Sequence, residues 1–71
     1  MNENARLRYI YAQIDLTDNM CVGVSTTTIC YDNNPAYVAI PRYDESYLLK
    51  YYINGEWYED EAGTIPWTPP V

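Results

Sequence analysis

Hydrophobic and polar positions alternate along much of this chain, and the period of two predicts strands rather than helices. From Arg6 to Leu16 one side takes Leu7, Tyr9, Tyr11 and Gln13, and the other takes Arg8, Ile10, Ala12, Ile14 and Leu16. The second set reads as the core face from Ile10 onward. Thr17-Asp18-Asn19 is a turn, because Asp and Asn accept left-handed geometry and bond their own backbone. Met20 to Val24 returns as an antiparallel partner, with Met20, Val22 and Val24 expected on one side and Cys21 and Gly23 on the other. A polar β-branched run, Ser25 to Thr28, leads into Ile29-Cys30-Tyr31 as a continuing edge strand. Asp32-Asn33-Asn34-Pro35 then breaks the chain. Tyr37 to Ile40 is a further strand, closed by Pro41.

Asp44 to Leu49 suits one or two helical turns, with Asp44 as N-cap and Glu45 near the positive end of the dipole. Such a turn is expected to set Tyr47, Leu48 and Leu49 against the sheet. The next stretch is the most specific in the chain. Lys50 to Ile53 and Glu56 to Glu59 flank Asn54-Gly55, the pair that most readily takes the positive φ angles of a type I′ hairpin turn. A two-residue loop sets Ile53 opposite Glu56, Tyr52 opposite Trp57, Tyr51 opposite Tyr58 and Lys50 opposite Glu59. Both faces of this ribbon are then rich in aromatics, and both are expected to touch protein.

These elements predict a mainly β fold: an antiparallel sheet of four or five strands near residues 6 to 16, 20 to 31, 37 to 40, 50 to 53 and 56 to 59. One short helical turn lies at 44 to 49, and Ile10, Ile14, Val22, Val24, Val38, Ile40 and Leu48 form the expected core. The organisation is a flexible N-terminus (1–5), a small β domain (6–59) and an extended Pro/Trp tail (60–71). Prolines at 66, 69 and 70 bar the tail from helix or central strand. Ile65 and Trp67 point to its packing along its own domain or a neighbouring chain.

Composition adds constraints. At 71 residues the chain sits near the lower limit for a core without staples or partners. Phe is absent and Tyr occurs nine times, which suits shallow cores and interfaces where the hydroxyl finds an outlet. The net charge is −6, and Asp44 to Glu61 holds six carboxylates against Lys50. Scarce cations argue against direct nucleic-acid binding, whereas a basic protein surface fits. Without histidine, Cys/His zinc sites and Ser-His-Asp triads are excluded. The two cysteines, Cys21 and Cys30, read as reduced core residues or as a disulfide if their strands fold back on each other.

Candidate chemistry is sparse. Glu56, Glu59, Asp60 and Glu61 cluster on a hairpin and a flexible exit, where little burial would separate their pKa values. Asp32-Asn33-Asn34 lacks the spaced pattern of a calcium loop. Gly23, Gly55 and Gly63 are isolated, so no phosphate loop exists. No run is long enough for a membrane span. The expectation is a non-enzyme without cofactor or metal, working by contact, with Tyr51, Tyr52, Trp57, Tyr58 and Trp67 as partner-binding anchors.

Tyr9 to Asp15 (YIYAQID), Cys21 to Ser25 (CVGVS), Ala39 to Pro41 (AIP), Asp44 to Lys50 (DESYLLK) and Asn54 to Asp60 (NGEWYED) together resemble short proteins encoded in tail-gene regions of phages and prophages of Gram-positive and gut bacteria. The likeness covers most of residues 9 to 60; the Trp67 tail departs from the simpler endings of that group. The resemblance implies a phage-encoded structural or assembly module, a virion or tail accessory, and carries no catalytic residues. Its expected partner is itself, as dimer or trimer, or a larger phage protein. The alternative is a small acidic inhibitor of a basic host protein such as a defence nuclease. Either role places the protein in the bacterial host cytoplasm during infection, or with the virion.

Overall fold

The computed structural model describes residues 8–70, so the expected flexible 1–5 segment, the strand start at Arg6 and Leu7, and Val71 lie outside the described residues. One five-stranded antiparallel sheet organises the chain, in the order β3-β1-β2-β4-β5. The strands are β1 (Tyr9–Asp15), β2 (Met20–Thr27), β3 (Tyr37–Ala39), β4 (Tyr51–Ile53) and β5 (Glu56–Tyr58), with a 3-10 turn at Glu45–Tyr47. Among the described residues there is no α-helix, as the period-two pattern requires.

The β1–β2 turn is held by its own polar side chains. Asp15 Oδ1 accepts from the Thr17 N–H at 3.0 Å and from the Thr17 hydroxyl at 2.7 Å. Those bonds hold the Asp15 carboxyl below its ordinary pKa. Asn19 takes the left-handed conformation at φ 67°, which its short polar side chain tolerates.

A β-bulge then changes the phase of β2. Gln13 lies opposite Gly23 while the next residue, Ile14, lies opposite Cys21, so Val22 is an extra residue on β2. Strict alternation would put Val22 in the core and Cys21 outside. The bulge reverses this: Cys21 is fully buried and Val22 is 56% exposed. Of the seven expected core residues, Ile14 and Ile40 are buried, and Ile10, Val24, Val38 and Leu48 pack half-buried around them. Val22 is the exception.

The core joins Ala12, Ile14, Cys21, Ile40 and Tyr47, with Tyr52, Trp57 and Trp67 packed against it. Asp44 caps the 3-10 turn by accepting the Ser46 N–H at 2.9 Å, which also lowers the Asp44 pKa. Tyr47 is driven inward and only 2% exposed, whereas Leu49, expected against the sheet, is 67% exposed. Its backbone sits at φ 69°, in the left-handed region that leucine rarely adopts.

The hairpin forms in the expected register, pairing Tyr51 with Tyr58, Tyr52 with Trp57 and Ile53 with Glu56. Asn54 and Gly55 take φ values of 51° and 85°, as a type I′ turn demands. Pairing stops there, one residue short of Lys50 and Glu59. Lys50 Nζ instead lies 5.2 Å over the Trp67 ring, and the Glu59 N–H donates to the Ile65 carbonyl at 2.8 Å. The tail therefore runs along the free edge of β5: Pro66 bridges Tyr58, and the Trp67 N–H donates to the Trp57 carbonyl at 3.0 Å. Between those two inward bonds the Pro66 nitrogen faces away from β5, the edge position where a missing N–H costs no ladder bond.

The expected strand over residues 20 to 31 ends at Thr27. Beyond it the Ile29 N–H turns to the Thr27 hydroxyl at 3.0 Å, and the chain folds over toward Tyr11. Both cysteines are free, but Cys30 is exposed rather than a core residue.

Candidate interaction surface

The sheet has two aromatic faces, and the register assigns each ring to one of them, since directly paired residues share a face. On the inner face Trp57 stands at the centre. Its ring lies 5.0 Å from Tyr47 at 67°, 4.9 Å from Tyr52 at 56° and 6.0 Å from Trp67 at 80°. Trp67 in turn meets Tyr47 edge-on at 5.2 Å. Such edge-to-face pairs bring the positive ring edge to the negative ring face and add to the area they bury. Burial pushes the Tyr47 phenol pKa upward.

The outer face carries two further patches. Met20 pairs with both Asp15 and Tyr51, and Tyr51 pairs with Tyr58, so Met20, Tyr51 and Tyr58 lie side by side there. All three are half-buried. The turn at Gly63 closes over one side: a Cβ on Gly63 would come 3.2 Å from Ile53 Cδ1 and 3.8 Å from Tyr58 Cδ2. Asp60 builds that turn, accepting the Thr64 N–H at 3.0 Å, the Ile65 N–H at 2.9 Å and the Thr64 hydroxyl. The Tyr58 hydroxyl points at Glu56 Oε1 from 3.4 Å. Burial first, and the Glu56 charge second, raise the Tyr58 pKa.

At the opposite end of the same face Tyr31 and Tyr37 stack at 4.4 Å and 15°, and both meet Tyr11 edge-on at 5.9 and 5.7 Å. Tyr9 extends the row, 6.2 Å from Tyr11. Tyr11 is only 1% exposed, which its place on the non-core side of β1 does not announce. The loop carrying Tyr31 supplies its cover.

The five expected anchors therefore divide. Tyr52, Trp57 and Trp67 are gathered with Tyr47 in one intramolecular cluster, while Tyr51 and Tyr58 stand on the outer face. Nothing in the strand pattern marks Met20, Val22, Tyr31 and Tyr37 as surface residues. The tyrosine count was the signal for the last two, and the bulge that exposes Val22 has no composition signature beyond Gly23. Among the described residues no pocket is enclosed, no group of three His, Cys, Asp or Glu side chains could hold a metal ion, and no helix is long and apolar enough to cross a membrane.

Comparisons with protein-family models, curated proteins and solved structures find no match for this chain.

Proposed function

We propose that this protein is a non-catalytic contact module, a structural or assembly component of a phage particle, with the outer face of the β4–β5 hairpin as its contact surface. The observation that carries the reading is the row Met20, Tyr51 and Tyr58, aligned by strand pairing and left half-covered. Tyrosine and methionine are enriched at interface centres. Glu56, Glu59, Asp60 and Glu61 flank Tyr58 in sequence, so the complementary partner is a larger protein presenting basic side chains. The phage setting rests on the sequence resemblance alone, and with it the placement in an infected bacterial cytoplasm or on the virion.

A photo-crosslinking residue in place of Tyr58, in the full chain expressed from its own phage or prophage, tests this. The expected result is the chain in purified particles, crosslinked to a larger particle protein, with Tyr51→Ala/Tyr58→Ala abolishing incorporation. Incorporation unchanged by the double variant overturns the surface. The acidic charge favours one second reading, inhibition of a basic host protein: absence from particles together with salt-sensitive binding to a host protein would select it.

A further inference from the structure

Every open sheet edge offers unpaired N–H and C=O groups to another strand, and proteins normally blunt such edges with charge, proline or brevity. Two edges here are blunted. β3 is three residues long and lies between Pro35 and Pro41. The β5 edge is occupied by the tail, whose Pro66 turns a nitrogen without hydrogen outward.

The third edge is different. β2 runs for eight residues, but β4 covers its far side only at Met20 and Cys21. The hydrogen-bond phase settles which groups are left. The Ile40 N–H donates to the Ile10 carbonyl and the Ile14 N–H to the Ala36 carbonyl, so even-numbered residues of β1 bond toward β3. Odd-numbered ones bond toward β2. Their partners Gly23, Ser25 and Thr27 are thereby spent on β1, and the N–H and C=O of Val24 and Thr26 point to the open side. Among the described residues no hydrogen bond reaches them there. No charged residue and no proline occurs from Val22 to Tyr31.

We propose that β2 pairs antiparallel with β2 of a second copy, about a two-fold axis at Ser25, joining the two sheets edge to edge. This goes beyond the contact surface described above and uses different residues. In that register Val24 of each copy faces Thr26 of the other, and all four outward N–H groups of the dimer meet the four outward carbonyls. A second observation selects the same register. It brings Ile29 of one copy to the level of Cys21 of the other, where the Leu49 N–H bonds the Cys21 carbonyl. Ile29 and Leu49 are 57% and 67% exposed, the two most exposed large hydrophobic residues described. Leu49 also holds a left-handed backbone at φ 69°, a conformation that costs free energy and is kept where something compensates it. The charge-free edge lets two chains of like net charge approach.

Sedimentation equilibrium of the full chain over a micromolar concentration series, with amide hydrogen exchange, tests the pairing. The expected result is a concentration-dependent dimer in which the Val24 and Thr26 amides become protected. Thr26→Pro removes an N–H that β1 does not use, and it should raise the dimer dissociation constant at least about tenfold, since two of four inter-strand bonds are lost. Thr26→Lys should do the same by placing a charge on each paired edge, with the monomer's melting temperature as the control for its lower strand propensity. Leu49→Gly should weaken the dimer yet raise the melting temperature of the monomer, a divergence that a purely structural leucine would not give. A chain monomeric throughout, or a dimer indifferent to both Thr26 variants, overturns the proposal. A dimer lost only in Tyr51→Ala/Tyr58→Ala overturns it too; loss only in the Thr26 variants supports it, and particle incorporation tests the hairpin surface separately.

Discussion

The hydroxyl of Tyr11 donates to Asp32 Oδ1 across 2.9 Å, and the same oxygen accepts the Tyr31 N–H at 2.9 Å. One phenol thus fastens the loop after β2 to the middle of β1. Tyr31 from the loop and Tyr37 from β3 close over it, so the two together form a small second core on the face opposite the main one. Tyr11→Phe keeps the ring but leaves the Tyr31 N–H without its acceptor, and should cost about 1–3 kcal/mol. Urea denaturation of the two proteins checks this.

The same phenol predicts an alkaline limit. Burial, foremost, pushes the Tyr11 pKa from 10.0 up to about 12. Because the folded value is raised, the stabilisation is complete below the unfolded value of 10.0 and is lost as pH rises toward about 12. Melting temperatures measured across that interval should fall in the native protein and fall less in Tyr11→Phe.

Asp60 gives the opposite sign. The Thr64 hydroxyl, followed by the Ile65 N–H, lowers its pKa. Stabilisation from a depressed carboxyl is present above the ordinary carboxylate pKa and is lost as pH falls through the folded value. Acid should therefore release the turn at Gly63 and the tail it starts, with Trp67 leaving Tyr47 and Trp57. Tryptophan emission should shift to the red on acidification, and Asp60→Ala should show that shift at neutral pH.

Gly55 tests the turn without touching packing. A Cβ there meets nothing within 4 Å, yet φ is +85°. Gly55→Val should cost on the order of 1 to 3 kcal/mol from backbone strain alone. An unchanged melting temperature would mean that the loop is not a type I′ turn.

How much of this was legible in the sequence follows from where each signal resides. Asn54-Gly55 fixes the hairpin because the turn chemistry is local, and Asp44 fixes its cap for the same reason. The face of β1 follows from alternation as far as Ile14, but Leu16, expected inward, lies past the strand's end at Asp15 and is exposed. Cys21 is the buried, reduced residue its type suggests, but alternation sets it on the wrong side of β2 and Val22 in the core, because a bulge is set by the pairing of two strands and neither strand alone records it. Helical spacing sets Leu49 inward, but the chain leaves the 3-10 turn at Leu48 and enters a left-handed residue. The split of the five aromatic anchors between two faces was legible for the hairpin, whereas the inner place of Trp67 required a tail path that prolines permit and do not dictate.

The bulge also yields a substitution pair. Val22→Lys should shift stability by no more than about 0.5 kcal/mol, as for an ordinary surface site. Cys21→Ser puts a hydroxyl into the core and should cost about 1–3 kcal/mol. Thermal denaturation of the two variants decides which residue faces inward.

Seen as a matter of chain length, Val22 is a spare residue. Deleting it would bring Cys21, Gly23 and Val24 into plain alternation, inward, outward, inward, with everything from Gly23 onward still opposite its present partner on β1. Deleting Ser25 would instead turn over every side chain on one side of the gap. A single-residue deletion scan through β2 should therefore find tolerance confined to the bulge, where loss of Val22 or Cys21 leaves Gly23 onward opposite its present partners, in an otherwise intolerant strand.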